Sequence, residues 1–293
     1  DCALALGFEQ MNPGALGAVF SDRQPPLGAH DRVMQEAQGD DPQAPLAARY
    51  FGGAGREYAE KYGTAPDTFA RIAVKARRHA GNNPFAIFRD PLTVDEVLAS
   101  KQIYGPLTRL QCCPPTCGAA AAVVCSQAFA RRHGLDGAVE ILGQAMTTDT
   151  AASFEHASMI DVIGYRVTAE AAHRVYEQAG IGPDAVDVVE LHDCFTTNEL
   201  ITYEALGLTA EGTAERYVLD GDNTYGGRHV TNPSGGLLSK GHPLGATGLA
   251  QCAELVWHLR GQAGKRQVPE ARVALQHNLG LGTACVVTMY RRL

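Results

Sequence analysis

Beyond residue 136 the apolar positions of the chain fall into two alternating periods. Residues 138–146 (AVEILGQAM), 184–193 (DAVDVVELHD), 272–278 (RVALQHN) and 283–290 (TACVVTMY) are short apolar and β-branched runs that read as strands. Between them, residues 168–180 (TAEAAHRVYEQAG) and 196–208 (TTNELITYEALGL) place apolar side chains at helical spacing, and Thr196 with Glu199 has the spacing of a capping box. A further helix is expected after Pro243, where Ala246, Leu249, Ala250, Ala253, Val256 and Trp257 recur until Gly261. Proline is favoured as the first helical residue because its missing N–H would be unpaired there, so His242 is expected at the cap. Strands and helices in alternation predict an α/β fold: a mixed, mostly parallel sheet covered by helices on both faces, with its site beyond the carboxyl ends of the strands.

The first part of the chain is less regular. Residues 1–11 (DCALALGFEQM) read as a buried strand, and residues 116–135 as a small-residue strand followed by a short helix. Residues 12–115 mix Pro, Gly and charges with two helices, around 45–62 and 65–79, and so long an insertion reads as a lid or substrate-binding subdomain.

Composition narrows the partners. A net charge of -7 without a clustered basic patch argues against nucleic acid. Apolar runs such as residues 119–124 fall far short of the roughly 20 residues of a membrane span, so none is expected, and no signal peptide is visible. The 8 cysteines are scattered through apolar segments, which predicts free thiols in a reducing compartment.

Three segments carry candidate chemistry. VVELHDCF, residues 188–195, ends a strand on His192, Asp193 and Cys194. The other reading of that segment is a capping aspartate beside a small buried thiol. GHPLGATG, residues 241–248, places His242 among glycines that let a backbone or substrate approach closely, and the positive end of a following helix would keep its imidazole neutral. Its bland reading is a histidine packed against a turn. HNLGLGTA, residues 277–284, is either an ordinary hairpin or a loop whose N–H groups bind a carbonyl oxygen.

Taken together, HDCFTTNELITYEALGL, GDNTYGGRHVTNPSGGLLSKGHPLGATGLAQCAEL and AGKRQVP…VALQHNLGLG resemble the thiolase superfamily, in particular thiolases of the sterol-carrier-protein type. The resemblance covers essentially the whole chain. It implies a thiolase-like fold of two similar α/β halves with a loop domain inserted in the first. Residues 1–11 and 116–135 would then belong to the amino-terminal half, 12–115 to the inserted loop domain and 136–293 to the carboxyl-terminal half. It implies cleavage or formation of 3-oxoacyl-CoA with CoA as substrate, acting on long or branched acyl groups, with no bound cofactor and no metal. For the complete protein it implies a homodimer in the cytoplasm, or in the peroxisome of a eukaryote.

Position by position, His242 resembles the GHP histidine that activates a nucleophilic cysteine, and His192 resembles a group facing a developing oxyanion. Cys194 resembles the acid that protonates the departing enolate, a role suited to a thiol whose ordinary pKa of about 8.5 lies near working pH. The resemblance also assigns Phe195, Gly280, Leu281 and Gly282 to substrate binding, glycine standing at 280 where most thiolases have their acidic cysteine. The family's nucleophilic cysteine lies ahead of a strand similar to CALALGF, and only Asp1 stands there in this chain. The expectation is an amino-terminally truncated chain whose first half is incomplete by about a hundred residues. Cys117 as substitute nucleophile and Cys112, Cys113 and Cys117 as zinc ligands are weaker readings, since a buried strand follows and a second ligand pair is absent. Two alternatives remain open: a catalytically incomplete acyl-CoA-binding or partner subunit, and a thiolase-like aldolase.

Overall fold

The computed structural model describes residues 1–14, 22, 23, 25–135, 137–282 and 284–293. Residues 136 and 283, where a domain boundary and a closing strand were expected to begin, lie outside the described residues. Strand β1 (Cys2–Glu9) is followed by four helices, α1 (Gly28–Gln38), α2 (Leu46–Tyr62), α3 (Pro66–Ala80) and α4 (Val94–Ala99). Pro66 opens α3, and Gly63, at φ +75°, ends α2 in the left-handed conformation that glycine adopts without a Cβ penalty. Next come the short pair β2 (Gln102–Tyr104) and β3 (Leu107–Thr108), strand β4 (Gly118–Cys125) and helix α5 (Gln127–Arg132).

The remaining elements build one sheet and its cover: β5 (Val139–Thr148), α6 (Met159–Val162), α7 (Tyr165–Ala179), β6 (Val188–Glu190), α8 (Thr196–Ala205), α9 (Ala214–Leu219), β7 (Val230–Thr231), α10 (Gly236–Ser239), α11 (Thr247–Leu259), β8 (Val273–Gly280) and β9 (Ala284–Arg292). The strand order is β5-β9-β8-β6-β7. The sheet is mixed, but not mostly parallel: β6 pairs in parallel with β7 and β8, whereas β9 pairs antiparallel with β5 and β8. The reason is chain length, because β8 and β9 are joined only through residues 281–283, far too few for a parallel crossover. Helix α7 packs on β5 and β9 and α11 on β6 and β8, while α2 and α3 meet α8. One apolar core runs from Tyr58 and Phe69 in α2 and α3, through Leu200 of α8, to Val189, Leu275 and Val287 of the sheet.

The first strand departs from expectation. It forms an eight-pair antiparallel ribbon with β4, Cys2 opposite Cys125 and Glu9 opposite Gly118. Yet Leu4, Leu6 and Phe8 are 67%, 64% and 71% exposed, so the strand is not buried. An alternating strand buries one face per neighbour layer. The face carrying Gly7 lies on the Gly245 loop, where a Cβ on Gly7 would stand 2.3 Å from the Gly245 carbonyl, and the other face is bare.

Candidate active site

The strand expected over 184–193 stops at Glu190, and the chain turns away from the sheet while its backbone is caught by side chains from both neighbouring strands. Leu191 N–H donates to Asn232 Oδ1 at 2.8 Å, just past β7, and His192 N–H donates to Nδ1 of His277, in β8, at 3.3 Å. Asn198 Nδ2, one turn into α8, donates to the His192 carbonyl. Asp193, fully buried, turns the other way. Its carboxylate accepts from the Leu237 N–H at 2.7 Å and from the Leu238 N–H at 3.4 Å, at the start of α10. Burial, with Glu199 adding to it, pushes the Asp193 carboxyl well above the usual carboxylate range.

The second joint lies between α10 and α11. Helix α11 begins at Thr247 and not at Pro243, so His242 is not its cap. Residues 243–246 form a turn in which Ala246 N–H and Thr247 N–H both donate to the Pro243 carbonyl at 2.9 Å. The ribbon dictates this. Gly245 lies against the Phe8 carbonyl, which its Cβ would approach to 2.3 Å, and its N–H donates to Glu9 Oε2 at 3.2 Å. Pro115 pairs with His242 through an isolated parallel bridge, and a Cβ on Gly118 would meet Pro243 at 3.0 Å.

These joints bring His192 and His242 together, edge to face, with ring centroids 4.9 Å apart and planes at 86°. Burial, reinforced by His242, His277 and Lys240, holds the His192 imidazole well below its usual pKa. Burial, with Lys240 adding to it, pushes His242 down to about 4. Both rings are therefore neutral at pH 7, and the cause is desolvation, not a helix terminus. The tautomer of His242 follows from its neighbour. The Thr247 hydroxyl donates to the Pro243 carbonyl at 2.9 Å, so its oxygen accepts from His242 Nδ1–H at 2.8 Å and Nε2 keeps the lone pair. Nδ1 of His192 is buried without a partner among the described residues.

Cys194 follows directly and is 5% exposed. Its carbonyl accepts from Cys113 N–H at 2.9 Å, beside an antiparallel bridge between Cys112 and Phe195. Burial, then Cys113 and Asp193, push the Cys194 thiol well up, so it is a thiol and not a thiolate at neutral pH. Phe195 stacks on Phe51 of α2 at 4.9 Å. Gly280 closes β8, and a Cβ on Gly282 would stand 2.7 Å from Leu27, just ahead of α1. Leu281 between them is 38% exposed.

The capping box expected at 196–199 does not form: no side chain caps α8. Thr196 Oγ1 accepts from Gln111 Nε2 at 3.1 Å, and the Glu199 carboxylate is taken by Lys75 and Tyr203 in a buried network with Thr231. Cys117 does not face the histidines. Its neighbours Thr116 and Gly118 point toward Gly241 and Pro243, and its own sulfur accepts from the Met11 N–H at 3.3 Å on the other face. All eight cysteines are unbridged, and among the described residues no cluster of three His, Cys, Asp or Glu could hold a metal ion. Nor is any helix there long and apolar enough to cross a membrane. His277 is the residue that sequence reasoning missed, although QHN is a run of three polar residues within a strand otherwise apolar.

Residues 148–290 match the family described as "Thiolase C-terminal domain-like". The chain is 56% identical over 292 residues to sterol carrier protein 2 of Rattus norvegicus, a match covering 99% of this chain and 53% of that protein. It thus spans about half the length of that relative. Non-specific lipid-transfer protein-like 2 of Caenorhabditis elegans is 45% identical over 296 residues, covering 99% and 72% of the two chains. An acetyl-CoA acetyltransferase of Methanothermobacter thermautotrophicus is 36% identical over 288 residues, covering 98% and 72%. Among solved structures, that of an "Ltp2-ChsH2(DUF35) aldolase" superposes with a TM-score of 0.79 at 25% identity, over 99% of this chain and 72% of that one. With fold, motifs and relatives in agreement, this chain belongs to the thiolase superfamily, in its sterol-carrier-protein branch.

Proposed function

We propose that the chain carries the acid–base machinery of a thiolase that cleaves or forms 3-oxoacyl-CoA, with CoA as substrate and no bound cofactor. The observation that carries this reading is the neutral His192–His242 pair, with the His242 Nε2 lone pair able to accept a proton and Cys194, two residues past His192, held as a buried thiol. His242 takes the proton of a cysteine nucleophile as that cysteine attacks the 3-oxo carbonyl. His192 donates to the oxyanion, its buried Nδ1 having no protein partner among the described residues. The C2–C3 bond then breaks, and Cys194 gives its proton to the carbanion of the departing acyl-CoA. The Cys194 thiolate recovers a proton from the CoA thiol, which attacks the acyl-cysteine and releases the shortened thioester, the freed cysteine taking its proton back from His242.

The nucleophile in this scheme comes from outside these 293 residues. Burial raises the thiols of Cys112, Cys113, Cys194, Cys252 and Cys285, Cys117 faces Met11, and Cys2 and Cys125 stand opposite each other at the end of the ribbon away from Gly245 and Pro243. The sterol-carrier and lipid-transfer names of the relatives support long or branched acyl groups as substrates. A second reading, a thiolase-like aldolase, is favoured by the superposed structure, which is an aldolase by name. One assay separates them. The intact protein is given a 3-oxoacyl-CoA with and without free CoA and, separately, a 3-hydroxyacyl-CoA: a thiolase turns the 3-oxo compound over repeatedly only when CoA is present, whereas CoA-independent carbon–carbon cleavage of the 3-hydroxy compound would favour the aldolase. Tight binding of acyl-CoA with neither reaction would identify a catalytically incomplete subunit.

A further inference from the structure

The ladder between β6 and β8 ends at Glu190 opposite Gln276. One residue further along β8, the side chain of His277 takes over from the backbone and accepts the His192 N–H through Nδ1 at 3.3 Å. An accepting Nδ1 carries no proton, so the ring proton sits on Nε2, which donates to Thr168 Oγ1 of α7 at 3.1 Å. His277 is 0% exposed, and its own carbonyl is held by Gln251 Nε2 of α11 at 3.1 Å. Burial pushes its pKa down to about 3, so the ring is neutral at pH 7 and the two hydrogen bonds decide its tautomer. A buried chain therefore runs from α7 through β8 to the peptide of His192, whose ring meets His242.

We infer that His277 is a positioning residue: by accepting the His192 N–H while Thr168 fixes its tautomer, it sets the backbone angle that holds the His192 ring perpendicular to that of His242. The inference rests on the proposed role of the histidine pair, but its geometric core does not need that role. A protonated Nδ1, or an apolar side chain at 277, leaves the His192 N–H buried without an acceptor and lets the joint shift.

The test uses the intact protein with three substitutions. Asparagine places an oxygen where Nδ1 stands, so His277→Asn keeps the acceptor. His277→Leu fills the space without one. Thr168→Val removes the acceptor for Nε2–H, which frees the tautomer. Imidazole 15N shifts are expected to show His277 as the Nε2–H tautomer. Amide hydrogen exchange at His192 is expected to quicken about tenfold in His277→Leu and in Thr168→Val and to stay near wild type in His277→Asn. In thiolysis of a 3-oxoacyl-CoA, kcat should fall about 10- to 100-fold in His277→Leu with little change in KM, and His277→Asn should recover most of it. An Nδ1–H tautomer for His277, or equal impairment of the Leu and Asn variants, would overturn the inference. A wild-type protein with the expected tautomer and exchange pattern but no thiolysis would sink the proposed reaction and leave the positioning role standing.

Discussion

The two histidines that meet at 4.9 Å reach each other from joints built in opposite ways. His192 follows β6, which pairs in parallel with β7 and β8, and is 6% exposed, its backbone held by side chains from β8, α8 and the residue just past β7. His242 is half-buried in a glycine-rich loop that lies on the outer ribbon of β1 and β4, held by close backbone approach and one threonine hydroxyl. Side-chain anchoring on a sheet gives a dry, over-determined joint, suited to a fixed hydrogen-bond donor. Glycine contact with a ribbon gives a joint open to a substrate on one side, suited to a base that must meet a thiol. Desolvation lowers both imidazoles, so neutrality does not depend on which construction is used.

The difference can be broken first at the base. In the intact protein His242→Ala should lower acyl-enzyme formation by on the order of 10³-fold or more, since it removes the base that takes the nucleophile's proton in the proposed scheme. Iodoacetamide labelling of the nucleophilic thiol should slow in parallel, and undiminished labelling would remove His242 from this role. On the sheet side, Cys194→Ala should leave acyl transfer from a simple acyl-CoA intact while carbon–carbon cleavage falls about 10²–10⁴-fold. Equal loss of both half-reactions would make Cys194 structural.

Glycine substitutions sharpen the contrast between the joints. A Cβ on Gly236, at φ +62°, would stand 2.0 Å from Asp193 Oδ2 in the buried joint. Gly236→Ala should therefore cost about 1–3 kcal/mol of stability, read as a lower Tm. Gly245→Ala meets the Phe8 carbonyl at 2.3 Å, but in a loop that can lift from the ribbon. It should lower activity more than Tm. The reverse order of effects would mean that the ribbon, and not the sheet, is the rigid side.

The smallest expected effect is on the pH dependence of stability. His192, His242 and His277 all have folded pKa values below the ordinary 6.5, so the unfolded chain binds more protons as pH falls through 6.5. Stability from these groups is complete above about pH 6.5 and drains away toward pH 4 and 3. Urea midpoints measured from pH 7 to 4.5 should decline, and His192→Asn should flatten the decline more than His242→Asn because its ring lies deeper. No difference between them would contradict the burial contrast.

Much of this architecture was legible in the sequence where local chemistry is self-contained. The expected helices 45–62 and 65–79 are Leu46–Tyr62 and Pro66–Ala80, because Pro45, Gly63, Pro66 and Gly81 punctuate them. Tertiary partners overrode local signals elsewhere. A capping box of the expected spacing exists at Thr93 and Glu96, whereas Glu199 was drawn into the Lys75 pair. Helix α11 starts four residues late because Gly245 is held on β1. The apolar run at residues 1–11 announced a strand but could not say which neighbours cover it, and the face carrying Leu4, Leu6 and Phe8 is exposed. That His192 lies past a strand end was legible, whereas His242 sits between α10 and α11 and reaches His192 from a loop held on the ribbon. Their chemical roles came from family resemblance, and His277 was hidden because a buried polar residue in a strand announces no partner.

The central claim is that His242 is a neutral base with its proton on Nδ1 and its lone pair on Nε2. The direct measurement is a 15N titration of the histidine imidazoles in the intact protein. His242 is expected to show the Nδ1–H tautomer at pH 7 and to take up its second proton only near pH 4, the value to which burial pushes it. Protonation near 6.5, or a neutral ring carrying its proton on Nε2, would contradict it.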